Sequence, residues 1–118
     1  MRPRVLIVKL SALGDLMHAL PVARALKAGL QAEIDWVTQD EYVDLVARFD
    51  DVDRVIGFPR HRFVRHHRRF LRELRSRSYD IVIDLQGLFK SGAVTRLARG
   101  ARRIGPSYHR ECSRLFYA

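Results

Sequence analysis

Residues 9–21 read Lys-Leu-Ser-Ala-Leu-Gly-Asp-Leu-Met-His-Ala-Leu-Pro and follow the aliphatic run Val5-Leu6-Ile7-Val8. A buried strand thus runs into a small-residue turn, and a carboxylate, Asp15, stands at the mouth of the next helix. Two roles are open to that acid. It can complement the positive end of the helix dipole. It can also serve as a general base, and the same dipole favours the ionised form that a base requires. The backbone N–H groups at the helix start would welcome an anion. The turn is neither a Walker loop nor a Gly-x-Gly-x-x-Gly fingerprint, so neither standard nucleotide motif is present.

Other reactive side chains are sparser. His18 lies one helical turn from Asp15 and either orients it or packs under the loop. Lys9, at the strand end, can contact an anion or cap the edge. Asp84, inside the aliphatic run Ile81-Val82-Ile83-Asp84-Leu85, is expected to anchor loop amides. His66 and His67 are adjacent and point to different helix faces, a poor metal pair, and no Cys/His cluster has ligand spacing. The single cysteine, Cys112, rules out an internal disulfide framework and fits a reducing compartment.

These residues need a scaffold, and the hydrophobic pattern supplies one. Strands are expected over 4–9, 34–38, 54–58 and 81–85, with a short one near 103–105. Helices are expected over 15–30, 41–49, along the basic stretch after 60, and over 90–98. Pro21 should split the first helix, with a short turn before it and a new start at the proline. Gly29 is a plausible stop. Leu16, Leu20, Ala23 and Leu30 fall near one face. Strands alternating with helices predict an α/β fold, a Rossmann-like doubly wound parallel sheet with right-handed crossovers. Ligands of such sheets sit beyond the carboxyl ends of the strands, which selects the loops at 10–15, 58–62 and 85–90.

With 118 residues the chain is one domain by length, assigned to 1–105. Residues 106–118, with Leu115-Phe116-Tyr117 near their end, are expected to be an incomplete tail. Hydrophobic residues make up 47% and charged residues 30%, which argues against disorder, and no apolar run is long enough to span a bilayer. The formal net charge is +9. Most of it lies between Arg60 and Arg77, where arginines at 60, 62, 65, 68, 69, 72, 75 and 77 face a single acid, Glu73. Phe63, Phe70, Leu71 and Leu74 share one helical face and Arg65, Arg68, Arg69, Arg72 and Arg75 another. Such a helix implies an anionic partner: phosphate, acidic lipid or nucleic acid. A nucleic-acid module is the rival reading, but the phenylalanines lie on the apolar face and do not interleave with the arginines as a stacking platform.

The segments RVLIVKLSALGDLMHALPVARAL, AEIDWVTQDEY and YDIVIDLQGLFKSG, followed by REC-SRLFYA, resemble the lipopolysaccharide heptosyltransferases, the ADP-heptose-using inverting glycosyltransferases of family 9. The resemblance implies a GT-B architecture of two Rossmann-like domains, of which this chain is the N-terminal, acceptor-binding half. The donor-binding domain would be absent and the chain inactive alone. It implies heptose transfer from ADP-L-glycero-β-D-manno-heptose to Kdo of the inner core, with no metal and no cofactor. Asp15 takes the place of the family's catalytic base. Lys9, Ser11, His61, Arg62, Arg65, Gln86, Lys90 and Arg110 would bind the acceptor, Kdo-lipid A, at an anionic inner-membrane surface. The implied localisation is cytoplasmic and peripheral to that membrane, with no nucleic-acid partner. Another sugar or acceptor within family 9 is the alternative. Two departures stand out: His61 replaces a basic position of the family, and the family's Arg-Glu-Pro-Leu-Ala-Ser reads Arg110-Glu111-Cys112-Ser113-Arg114.

Overall fold

A computed structural model of the chain describes residues 2–10, 13–59, 63–86 and 89–105, without the side chains of 13, 63–66 and 89–90. The elements in order are β1 (Arg4–Val8), α1 (Leu13–His18), α2 (Leu20–Leu30), β2 (Glu33–Gln39), a 3₁₀ turn (Asp40–Tyr42), α3 (Val43–Val46), β3 (Arg54–Phe58), α4 (Phe63–Leu74), β4 (Ser78–Asp84), α5 (Phe89–Leu97) and β5 (Arg99–Ile104). The strands form one sheet in the order β3-β2-β1-β4-β5, and every pair is parallel. This is the expected doubly wound sheet, with β1 at its centre and the chain winding outward on both sides.

The four aliphatic residues of β1 show why it is central. Val5 and Ile7 enter the core against α1, α2 and α3, while Leu6 and Val8 enter the core against α4 and α5, all at zero exposure. A strand covered on both faces reads as a continuous apolar run instead of an alternating one. The first core closes on Leu16, Ala23, Trp36 and Val46, and the second on Phe70, Leu74, Val82 and Val94.

Proline splits the first helix as expected. The chain breaks at Ala19, and Pro21 occupies the first turn of α2, where no backbone donor is lost. The break resets the helical phase, so the four residues assigned to one face do not share it: Leu16 and Ala23 are buried, but Leu30 is 47% exposed. Gly29 is not the stop. The helix runs to Leu30, and Gln31 takes the left-handed conformation at φ 53°, its carbonyl accepting from Arg2 Nε at 2.9 Å. The helix expected over 41–49 shrinks to a 3₁₀ turn and the four residues of α3. Beyond it, Arg48 and Phe49 donate to carbonyls three residues back, which tightens the chain out of α-helix. Phe49 still reaches the core, edge-on to Trp36 with ring centroids 5.6 Å apart. The last strand begins four residues earlier than expected, because Arg99–Ile104 pairs with β4 despite its three arginines.

Candidate active site

The parallel sheet brings the loops after β1, β3 and β4 to one edge. β1 and β4 are neighbours, so their loops adjoin, while β2 separates β3 from them. At the end of β1 the backbone is held from both sides. Lys9 N–H donates to the Val37 carbonyl at 3.2 Å, and the Lys9 carbonyl accepts from the Trp36 indole at 3.1 Å. The Leu10 carbonyl accepts from Gln39 N–H at 3.0 Å and from the Thr38 hydroxyl at 3.1 Å. Leu10 N–H donates to Gln86 Oε1 at 3.2 Å. All four backbone polar groups of Lys9 and Leu10 are therefore occupied, and the Leu10 side chain is buried.

α1 starts three residues on. Leu16 anchors it in the core at zero exposure, which leaves the preceding Asp15 exposed at the carboxyl edge. Among the described residues Asp15 makes no side-chain hydrogen bond or ion pair. His18 closes α1 and is also exposed, so it does not pack beneath the loop as one of its two expected roles required. The Lys9 side chain is half-buried and reaches the Leu85 carbonyl at 3.5 Å, a long contact.

Asp84 behaves as expected. Its fully buried Oδ1 accepts Gln86 N–H at 2.9 Å and sets the turn after β4. Gln86 itself is half-buried against the β1 loop. Arg65 lies in α4 and Lys90 in α5, both with side chains outside the described residues. Ser11, His61, Arg62, Arg110, Cys112 and the whole tail 106–118 lie outside the described residues. The amphipathic reading of α4 holds where it can be followed: Phe70 and Leu74 are buried, and Arg68, Arg69, Arg72 and Arg75 are exposed.

Beside the end of β3 a cavity of about 470 Å³ is lined by Asp40, Val43, Gly57, Pro59, Arg69, Phe70 and Glu73, among others. A Cβ at Gly57 would run into the Asp40 carboxylate, which would have to swing away. No three His, Cys, Asp or Glu side chains come together as a metal-binding group among the described residues. None of the described helices is long and apolar enough to cross a membrane.

Sequence reasoning passed over Trp36, Thr38 and Gln39 as site-building residues. One signal was available: a tryptophan inside a buried strand must satisfy its indole N–H.

Residues 67–118 match the profile of glycosyltransferase family 9 (heptosyltransferase). Lipopolysaccharide heptosyltransferase 1 of Escherichia coli (strain K12) is 37% identical over 110 residues, covering 84% of this chain and 34% of that protein. Its Pseudomonas aeruginosa counterpart is 38% identical over 103 residues, covering 79% and 29%. The solved E. coli heptosyltransferase WaaC with ADP superposes with a TM-score of 0.84 at 36% identity, over 97% of this chain and 40% of that one. This chain is a relative of the family 9 heptosyltransferases. It spans about a third of the length of the curated relatives it matches. The sheet that presents Asp15 is therefore similar to that of the family 9 heptosyltransferases, and the resemblance carried by the first turn and by Asp84–Ser91 holds along most of the chain.

Proposed function

We propose that the chain is the acceptor-binding part of an inverting heptosyltransferase that transfers heptose from ADP-heptose to Kdo of Kdo-lipid A. The observation that carries this reading is Asp15: a carboxylate on a helix rooted in the core, at the ligand-binding edge of the sheet, with no partner among the described residues. Its chemistry is that of a general base. As the acceptor hydroxyl oxygen forms its bond to the anomeric carbon, the proton passes to Asp15 and the bond to the ADP phosphate oxygen breaks with its electron pair. The attack comes from the face opposite the leaving group, so the anomeric configuration inverts. Proton transfer to a carboxylate and departure of a diphosphate need no redox cofactor, and we expect chelators to leave transfer unchanged.

Lys9, Ser11, His61, Arg62, Arg65, Lys90 and Arg110 are the acceptor-side groups in this reading; Gln86, which the resemblance groups with them, has its carboxamide oxygen taken by Leu10 N–H. Cations suit Kdo carboxylates and lipid A phosphates, which pair with guanidinium through charge-assisted hydrogen bonds. The exposed arginines of α4 add attraction to the anionic inner leaflet, so the protein works from the cytoplasmic side as a peripheral enzyme. Burial of Phe70 weighs against nucleic acid as the partner, because it removes an aromatic from any base-stacking surface. The donor is held by the family's second domain, and the 118 residues alone should bind ADP weakly.

The test joins this chain to the rest of the E. coli relative, in place of the homologous third, and measures transfer from ADP-heptose to Kdo-lipid A. We expect transfer by the chimera and a loss of ~10²–10⁴-fold in Asp15→Asn. Near-normal turnover in Asp15→Asn would leave Asp15 as a helix-start acid and overturn the proposal. Micromolar ADP affinity of the 118 residues alone, roughly −8 kcal/mol, would overturn the division of labour between the two parts.

A further inference from the structure

We infer that Gln86 is a positioning residue: its carboxamide holds the backbone at the end of β1, from which the chain passes to the helix that carries Asp15, and its effect on transfer runs through that backbone. The inference rests on the proposed role of Asp15. Leu10 N–H points at the Gln86 carboxamide at 3.2 Å, and an N–H can only meet the oxygen, so the orientation of the amide is fixed by its partner. Gln86 is aimed there by the turn that Asp84 imposes, through Gln86 N–H and the buried Oδ1 at 2.9 Å. The chain of contacts runs Asp84, Gln86, Leu10, and Asp15 follows five residues later.

Leu10 is the point where this matters. Its carbonyl is already fixed by Thr38 and Gln39 of β2, and its side chain by the core. The bond from Gln86 is the one that comes from the opposite side, across from β4. With it, the peptide at the end of β1 is clamped between its two neighbouring strands. Without it, Leu10 N–H loses its acceptor at the place where β1 gives way to the loop. A base must sit within hydrogen-bond reach of the proton it takes, so a small displacement acts on the chemical step and not on acceptor affinity.

Gln86→Leu and Gln86→Glu separate this from an acceptor contact. Leucine removes the acceptor oxygen; glutamate keeps it. In the chimera, Gln86→Leu should lower kcat by on the order of 10–10²-fold with acceptor KM unchanged. Gln86→Glu should recover most of that kcat. A direct contact to the anionic acceptor predicts the reverse pattern: Gln86→Leu raises KM at constant kcat, and Gln86→Glu raises it further by repulsion. That result, or wild-type kcat in Gln86→Leu, overturns the inference. A second measurement needs no transfer. In the 118-residue chain, the Leu10 amide should exchange with solvent faster in Gln86→Leu and at the original rate in Gln86→Glu. If the unsubstituted chimera makes no product, the transferase reading fails, and amide exchange still decides whether Gln86 holds Leu10; unchanged exchange in Gln86→Leu overturns the clamp.

Discussion

At the amino-terminal edge of the sheet Asp35, 2% exposed, accepts the Tyr79 hydroxyl at 2.6 Å and has Arg54 Nε at 3.3 Å and Arg77 at 3.6 Å. Arg54 continues to the Glu73 carbonyl at 3.0 Å and the Ser76 hydroxyl at 3.2 Å, tying the end of α4 to the sheet. Arg103 and Arg75 donate to the carbonyls that end α5, Arg4 pairs with Glu33, and Lys27 pairs with Asp53. At the carboxyl edge the pattern reverses. Asp15 pairs with none of the described residues and Lys9 reaches only a carbonyl at 3.5 Å; on the outer face of α4, which runs from this edge to the other, the exposed Arg68 and Arg72 form no ion pair among the described residues. One edge uses its charges to hold the fold together, and the other leaves its described charges without a charged partner, as the proposed acceptor site requires. The arginine count of the sequence cannot make that division, because the two sets interleave in α4 and just after it.

The comparison makes opposite forecasts for two aspartates. Asp35→Ala should destabilise the chain by about 3–5 kcal/mol, because it strands Arg54, Arg77 and the Tyr79 hydroxyl beside an emptied buried site. Asp15→Asn should change stability by less than about 0.5 kcal/mol. Denaturant unfolding of the two variants, side by side, checks both. A stable Asp35→Ala, or an Asp15→Asn as damaged as Asp35→Ala, would erase the distinction between the edges.

The exposed arginines of α4 come next in size. Charge reversal at Arg68 and Arg72 together should weaken sedimentation with vesicles of acidic phospholipid, at about 1 kcal/mol per arginine near such a surface. Raising salt should weaken the unsubstituted chain in the same direction. The unfolding midpoint should stay where it was, since neither residue packs. Vesicle binding that ignores both charge and salt would remove α4 from the membrane face.

How much of this was legible beforehand depended on range. The aliphatic runs of β1 and β4 and the proline at 21 act locally, and the strands and the split helix followed from them. α3 was over-extended because Val43, Val46 and Phe49 keep helical spacing even though the helix stops between the second and the third. The first half of β5 is hidden because Arg-Gly-Ala-Arg-Arg-Ile has the composition of a loop; pairing with β4 and the capping of α5 by Arg103 decide its conformation. The clamp on Lys9 and Leu10 was out of reach, since its bonds join residues 27, 28 and 76 apart. Asp15 was visible as an acid at a helix start, but pattern alone left it between two roles.

Tyr79 offers a smaller effect at high pH. Burial first, then its bond to Asp35, raises the Tyr79 pKa well above the ordinary value near 10, outweighing the opposing pull of Arg54. The folded state therefore keeps the phenolic proton where the unfolded chain loses it. The contribution is full below about pH 10 and is lost as pH rises beyond it. Tyr79→Phe should flatten the alkaline limb of the stability curve. An unchanged limb would mean that other groups set the alkaline loss.

The smallest effect belongs to Lys27 and Asp53, 2.7 Å apart. Burial pushes the Asp53 carboxyl up, but the Lys27 bond, the Ile34 amide at 2.8 Å and the charges of Lys27 and Arg2 together leave it below its usual value. A depressed carboxyl contributes stability above the unfolded pKa and loses it as pH falls through the folded one. With Asp53 at 39% exposure, water and salt screen the pair, and its contribution stays under about 1 kcal/mol. Asp53→Asn keeps an oxygen for the Ile34 amide and removes only the charge. It should lower the unfolding midpoint slightly at neutral pH, and the difference from the unsubstituted chain should vanish in acid, below the usual carboxylate range. High salt should shrink it as well. A difference that persisted in acid would assign the effect to the Ile34 bond, and this pair would then hold the fold through a neutral contact, unlike Asp35 on the same edge.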